Sequence, residues 1–307
     1  MKYTFLLPAY KSRFLEQSLR SILSQTYTDF NVIVSDDCSP EDIKSIVDKF
    51  SDSRVTYRRN ASNIGVEYLV NHWNLLLGLT DAEYVIMASD DDVYENNYLA
   101  EIDKLVVRYP EICVFRTRMS YVNSSDERIF MEPKLDIDVM SQGEYALAFA
   151  TQKVFSGISQ NTFNRRYLMS IGGFFYLPVA WFSDDVTVFE MAKNGIAISD
   201  SESFHMRWSE ISISEGKQTL ELIKHKVDAS IIYQEYMYQQ GLPETTLSGI
   251  LERTRRTTLI ALKKLNGISF FRAMIYSYRH SSKIYPMSWC IRKSFGHIYY
   301  DCIKKEC

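Results

Sequence analysis

Three consecutive carboxylates, Asp90, Asp91 and Asp92, stand directly after the apolar run Tyr84-Val85-Ile86-Met87-Ala88. A short apolar run of this kind reads as a buried strand, so the triplet falls where that strand ends and its loop opens toward solvent. Like charges this close repel unless a cation or hydrogen-bond donors neutralise them. Hard oxygen ligands suit Mg²⁺ or Mn²⁺ far better than zinc, and such ions commonly carry phosphates. The competing reading of an isolated Asp triplet is a solvated acidic turn in which one Asp caps the next helix. The surroundings of the triplet decide between the two.

Those surroundings alternate strand and helix patterns through the first hundred residues. Tyr3 to Leu7, Phe30 to Val34, Val55 to Tyr57 and Tyr84 to Met87 read as strands; Phe14 to Leu23, Ile43 to Phe50 and Val66 to Leu79 read as helices. Strand-helix alternation predicts a parallel sheet with right-handed crossovers, whose ligands gather beyond the carboxyl ends of the strands. The polar groups fall in those loops. Pro8-Ala9-Tyr10 closes the first strand, Asp36-Asp37 the second, Asn60 to Gly65 follows the third, and the Asp triplet ends the fourth. Singly, Asp37 is an ordinary capping residue and Asn63-Ile64-Gly65 an ordinary turn; converging on one edge, they mark a site.

Downstream, a helix is predicted from Tyr98 to Tyr109, stopped by Pro110, followed by extended runs Ile112 to Phe115 and Met119 to Val122. Residues 123–140, rich in Ser, Asp and Glu, read as a hairpin tip or mobile loop. Arg165 to Ile171 reads as a helix capped by Gly172-Gly173, and Asp184 to Lys193 as another, stopped at Gly195. From Gly216 the pattern is helical without strands: Leu220, Ile223, Val227 and Ile231 share a face, and Leu247, Ile250, Leu251, Leu262 and Leu265 continue after the Gly241-Leu242-Pro243 break. A boundary near 215 therefore separates a domain over 1–215 from a helical extension over 216–307.

With 307 residues and 46% hydrophobic content, the chain can bury a substantial core. Its net charge of −3 is unevenly spread: Glu252 to Cys307 holds twelve Lys/Arg against three acids, which leaves −12 for the remainder. An acidic body argues against nucleic-acid binding, whereas the basic end suits phosphates or an anionic membrane surface. There Trp289, Phe295, Ile298, Tyr299 and Ile303 alternate with Arg292, Lys293, Lys304 and Lys305, the composition of a helix at a membrane interface; a solvated helix packed on the rest of the chain is the competing reading. Five scattered cysteines (Cys38, Cys113, Cys290, Cys302, Cys307) without metal-ligand spacing read as reduced thiols of a cytoplasmic protein. No apolar stretch has the length of a signal peptide or membrane span, so the expectation is a cytoplasmic chain, peripheral at most on the inner face of the cell membrane.

The residues from about Lys2 to about Ser214 resemble a family 2 glycosyltransferase of the GT-A fold. The likeness is carried by Phe5-Leu6-Leu7-Pro8-Ala9-Tyr10, Phe14-Leu15, Ser18-Leu19, Ser21-Ile22-Leu23-Ser24-Gln25-Thr26-Tyr27 and Val32-Ile33-Val34-Ser35-Asp36-Asp37-Cys38-Ser39. It continues with Asn63-Ile64-Gly65-Val66, His72-Trp73-Asn74, and Phe163 to Phe174 with its double glycine. The implied fold is α/β: a Rossmann-like nucleotide-binding, mixed but mainly parallel sheet with the C-terminal helical extension. Residues 1–100 would form its nucleotide-sugar half and 101–215 its acceptor half.

The resemblance implies a metal-dependent, inverting transfer of sugar from a nucleotide-sugar, usually UDP-linked, to a hydroxyl of a glycan or polyprenyl-diphosphate-linked acceptor in surface polysaccharide assembly. Ala9, Tyr10 and Asp37 would hold the nucleobase, Pro8 would belong to the same donor site, Asn63 and Gly65 would line the same pocket, and Arg207 would lie near the donor phosphates. Ser89-Asp90-Asp91-Asp92 falls on the family's D-x-D-D motif with Ser for the first Asp, so Asp91, with Asp92, would take Mn²⁺ or Mg²⁺ and Asp90 would stand near the ribose or behind the metal ligands. Asp90 and Asp92 also spell a literal D-x-D, which leaves the ligand pair open by one position. Asp184 is the implied base and Asp185 its alternate, with Ser183 in place of the family's Glu; a helix N-terminus favoured by its dipole is the other reading of that pair. Ser209 replaces a family His, for which His205 is the candidate substitute. Two other classes compete. A Mg²⁺-binding, receiver-like phosphotransfer module is shorter and carries its acidic pair after the first strand; a nucleotidyltransferase module has a Gly-rich phosphate loop where this chain has Pro8-Ala9-Tyr10-Lys11-Ser12-Arg13.

Overall fold

In the computed structural model, residues 1–212 and 216–293 are described. Strands β1 (Tyr3–Ala9), β2 (Phe30–Asp36) and β4 (Tyr84–Met87) are buried almost throughout, as expected of strands covered on both faces. Between them lie α1 (Leu15–Leu23), which buries Leu15, Ser18, Leu19 and Ile22, and α2 (Ile43–Asp48), capped by Asp42 through the Ser45 N–H. The half-exposed edge strand β3 (Val55–Arg59) and α3 (Leu69–Leu77) complete this half. Then come β5 (Val93–Tyr94), α4 (Tyr98–Arg108), β6 (Val114–Val122), β7 (Arg128–Met131), β8 (Val139–Met140), α5 (Gln142–Ala150), β9 (Asn161–Asn164), α6 (Arg165–Ser170), α7 (Ser183–Met191) and β10 (Ile196–Arg207).

The ten strands among the described residues join one sheet in the order β3-β2-β1-β4-β9-β6-β10-β5, with β7 beside β6 and β8 beside β10. β1 to β4 pair in parallel, as the alternating pattern predicts. The other half is mixed: β9 runs antiparallel between β4 and β6, and β6 pairs in parallel with β10. The two extended runs predicted around residue 116 are a single strand, β6, which forms a hairpin with β7 over 123–131, while 132–138 are irregular up to β8. The interruption was Arg116-Thr117-Arg118, polar residues that a local reading places in a loop. Arg116 is nonetheless buried, paired with buried Glu132.

The described residues form two compact units, Met1–Tyr176 with Ser183–Ser209, and Leu177–Phe182 with the described residues of 210–293. The boundary expected near 215 assigns 177–182 to the first domain, whereas the fold groups them with the second unit. The second unit contains α8 (Leu220–Tyr238), α9 (Glu244–Leu262) and α10 (Gly267–His280) around Ile223, Val227, Leu262, Phe270, Met274 and Tyr285. Within it, the Lys226 ammonium lies 4.1 Å from the Trp181 ring and Phe182 stacks on Tyr233 at 4.7 Å. Val179, Ala180 and Phe182 all adopt left-handed φ, costly for residues with a Cβ. Trp289, expected at a membrane interface, is instead a buried member of this core, 5.4 Å from Tyr285. Phe295, Ile298, Tyr299, Ile303, Lys304 and Lys305 lie outside the described residues. Among the described residues no helix is long and apolar enough to cross a membrane, and Cys38, Cys113 and Cys290 are free thiols.

Candidate functional site

Parallel register brings the strand ends of the first half to one edge. Ala9 pairs with Asp36, which pairs with Arg59, and Leu6 pairs with Met87. The Asp36-Asp37 pair then divides. Asp36 is buried and accepts hydrogen bonds from Tyr57 Oη, Arg59 Nη1 and the Ser39 N–H, which fastens β3. Asp37 donates its N–H to Ala9 O and turns its carboxylate toward loop 60–65. There it accepts from Asn60 Nδ2 (2.8 Å), the Ile64 N–H (2.9 Å), Asn63 Nδ2 (3.0 Å) and the Gly65 N–H (3.0 Å). Gly65 holds φ +78, a conformation that suits its missing side chain.

A carboxylate offers about four lone-pair directions, and the loop occupies Asp37 with four donors. A nucleobase N–H reaches it only by displacing one of them. Behind the loop, buried His72 bridges Asn60 (3.3 Å) and Ser35 (2.9 Å), and burial pushes its pKa down against the opposing pull of Asp37. Tyr10 is exposed, Ala9 buried and Pro8 half-buried at the end of β1, so of the three only Tyr10 offers a free face.

The Asp triplet also divides. Asp90 Oδ2 accepts from the Tyr10 and Lys11 N–H groups at 2.9 and 2.8 Å, which ties the loop after β4 to the end of β1. Asp91 accepts from Ser89 Oγ, and Asp92 Oδ1 accepts from the Arg207 N–H at 2.9 Å. Burial, then the charge of Asp91, raises Asp90 to about 6, and the same two causes hold Asp92 well above the ordinary carboxylate range. Among the described residues no group of three or more His, Cys, Asp or Glu side chains is arranged to hold a metal. The triplet is therefore not a three-carboxylate cage. Two crowded hard-oxygen side chains, Asp91 and Asp92, do fit Mg²⁺ or Mn²⁺, which protein sites commonly hold by one or two carboxylates completed by phosphate and water.

Arg207, expected near the donor phosphates, has its guanidinium buried beside this loop and engaged by the protein. Nε donates to Asp91 O (2.8 Å), Nη1 to Asn123 O (2.9 Å), and Nη2 to Gln17 Oε1 (2.9 Å) and Asp126 Oδ1 (2.6 Å), with the Phe14 ring 4.2 Å away. It is a strut for the acidic loop rather than an open phosphate ligand. His205 is likewise engaged, between Ser120 Oγ (2.6 Å) and Glu95 Oε1 (2.7 Å), in the part of the sheet where β5 and β6 flank β10.

Asp184 and Asp185 occupy the first turn of α7, where the helix dipole favours negative charge. Ahead of them Gly172 and Gly173 hold φ +97 and +89, and Asn74 of α3 approaches Gly173 so closely that a Cβ would lie 2.4 Å from its Oδ1. That oxygen accepts the Phe174 N–H at 2.8 Å, which fixes the turn. A buried polar chain runs from Asp92 toward Tyr145 of α5, and sequence reading missed it. Ser159 hydrogen-bonds Asp92. Its neighbour Gln160 donates to Glu132 at 3.2 Å, Glu132 pairs with Arg116, and Arg116 stands beside the Tyr145 phenol. Burial pushes Tyr145 up to about 12; Arg116 opposes the rise, and the charges of Asp185, Glu132 and Asp184 add to it. The available signal was a charged residue inside an apolar strand pattern, Arg116, which needed a buried partner.

Glycosyl transferase family 2 matches residues 4–172 of the chain. The protein belongs to that family. Over 86 residues it is 31% identical to WcaA of Escherichia coli (strain K12), whose name places it in colanic acid biosynthesis as a glycosyl transferase; the match spans 27% of this chain and 30% of that relative. The fold is shared with S. aureus TarS residues 1–349 (TM-score 0.63, 16% identity, 97% of this chain and 89% of TarS). The same protein in complex with UDP-GlcNAc aligns with TM-score 0.58 at 17% identity over the same shares. The mannosyltransferase PcManGT from Pyrobaculum calidifontis, in complex with GDP-Man and Mn²⁺, aligns with TM-score 0.54 at 17% identity, covering 92% of this chain and 76% of that one. The family 2 sheet with its helical C-terminal region is thus the GT-A architecture expected from the sequence. Receiver-like and nucleotidyltransferase readings give way to this membership.

Proposed function

We propose that this family 2 member is a metal-dependent, inverting glycosyltransferase that moves a sugar from a nucleotide-sugar, UDP-linked by preference, to a hydroxyl of a glycan or lipid-linked oligosaccharide in surface polysaccharide assembly. The observation that carries the reading is the tie between Asp90 and the Tyr10 and Lys11 N–H groups, which holds the acidic loop against the end of β1 beside the Asp37 loop. Nucleobase and diphosphate sites then adjoin on one edge of a parallel sheet, where such sheets take their ligands. The UDP-GlcNAc and GDP-Man complexes of similar folds agree with a nucleotide-sugar donor.

In this mechanism Tyr10 and the Asp37 loop receive the base, and Asp90 keeps the two loops in register. Asp91 and Asp92 would hold Mn²⁺ or Mg²⁺, which when bound supplies positive charge against the departing nucleoside diphosphate. Asp184, with Asp185 as alternate, takes the proton of the acceptor hydroxyl as that oxygen attacks the anomeric carbon from the face opposite the leaving group. The basic region from Glu252 onward brings the chain to an anionic membrane surface on the cytoplasmic side, where a lipid-linked acceptor lies.

Thermal shifts with UDP, GDP and their sugar conjugates, with and without Mn²⁺, test the reading. A shift by one uridine compound that vanishes on adding EDTA is expected. No shift by any nucleotide, with metal present, would overturn it.

A further inference from the structure

The outward side of α10 carries Ile268, Phe271, Arg272, Ile275 and Arg279. At 100° per residue these five fall within an arc of about 100°, opposite buried Phe270, Ala273, Met274 and Ser277. Ile268 is 71% exposed, Ile275 51% and Phe271 38%, although such side chains are ordinarily covered. The helical turns at 287–293 repeat the arrangement, with Met287 at 52% and Ile291 at 49% exposed while Trp289 and Cys290 face the core. Arg292 is exposed next to Ile291.

Charge selects the occupant. From Arg253 to Lys293 the sequence has ten Lys or Arg and no Asp or Glu. A second copy of the same face would bring cation against cation. An arc mixing Ile and Phe with Arg matches instead the boundary between acyl chains and anionic headgroups, because Arg can lay its methylenes along the apolar layer and keep its guanidinium among phosphates. We propose that the outward arc of α10 docks this protein on an anionic lipid surface. This deepens the membrane reading given above and moves it from the aromatic residues at the end of the chain to α10.

The experiment is flotation of the full chain with phosphatidylcholine vesicles and with vesicles containing phosphatidylglycerol. Wild type is expected to float with the anionic vesicles only. The double variant Arg272→Gln/Arg279→Gln should weaken partitioning about 25-fold, roughly fivefold per arginine, and Ile268→Asp/Ile275→Asp should abolish it. Because all four side chains are exposed, melting temperatures should stay at the wild-type value; Ile268→Ser/Ile275→Ser serves as a milder second variant and should also weaken flotation. Variants that float as well as wild type would overturn the α10 assignment and leave the membrane reading to other residues. A wild type that floats with neither vesicle overturns both. A concentration-dependent dimer of wild type, dissociated by Ile268→Asp/Ile275→Asp, would show a second copy on this face and also overturn the proposal.

Discussion

Arg207 and Asp126, 81 residues apart, meet at 2.6 Å, and through this pair the tip of the β6–β7 hairpin is fastened to the backbone of the acidic loop. Asp126 is half-exposed, so Asp126→Asn should cost less than about 1 kcal/mol of stability. Arg207→Met removes several hydrogen bonds from a buried cation and should cost about 2–3 kcal/mol. Urea unfolding measures both. Mn²⁺-dependent UDP binding should fall several-fold in Asp126→Asn, and unchanged binding would mean that the hairpin does not steady the loop.

Asp184→Asn should lower turnover roughly 10²- to 10⁴-fold, with UDP affinity unaltered because the residue serves the acceptor side. Initial rates beside calorimetric UDP titration separate the two quantities. Wild-type turnover in that variant, with loss in Asp185→Asn, would transfer the role to Asp185.

Asp37→Ala leaves four donors of loop 60–65 without their acceptor. A stability loss of about 1–3 kcal/mol is expected, together with weaker nucleotide binding. Hydrogen exchange should quicken at the Ile64 and Gly65 amides; exchange as slow as in wild type would contradict the anchoring role.

Glu132 accepts from buried Arg116, Met119 N–H and Gln160 and from the N–H of half-buried Phe155. Removing its charge strands a buried cation, so Glu132→Gln should destabilise by about 3–5 kcal/mol. The paired substitution Arg116→Met/Glu132→Leu should recover much of that loss, and a double variant weaker than the single one would refute the pairing.

His72 gives the pH dependence its sign. Burial holds its pKa below the ordinary 6.5, so between the two values the unfolded chain binds a proton that the folded chain does not. Its contribution is complete above pH 6.5 and is lost as pH falls through the lower, folded value. Urea midpoints from pH 8 to 5 should decline more steeply for wild type than for His72→Gln; parallel declines would remove His72 as the cause.

Strands β1, β2 and β4 were legible because burial on both faces leaves continuous apolar runs, and their loops inherited a common edge from parallel pairing. β10 was not, since Ser199-Asp200-Ser201-Glu202 breaks its pattern and its ladder with β6 shifts register there. The candidate site was legible as a set of strand-end residues, but not in the direction each side chain takes. Asp90 facing two backbone amides and Arg207 enclosed by Gln17, Asn123 and Asp126 depend on partners 79 to 190 positions away. Trp289 misled for the converse reason: amphipathic composition does not say which face a helix hides.

Leu177–Phe182 gives the second unit a consequence for how this protein can be divided. Its anchors, Lys226 under Trp181 and Tyr233 against Phe182, come from α8, and the very next residue begins the helix that bears Asp184. Truncation after Ser209 would keep every strand of the described residues yet leave that six-residue leash with nothing to grip. The carboxyl-terminal helices are thus no detachable accessory, and grafting them onto, or swapping them between, relatives requires exchanging residues 177–182 as well.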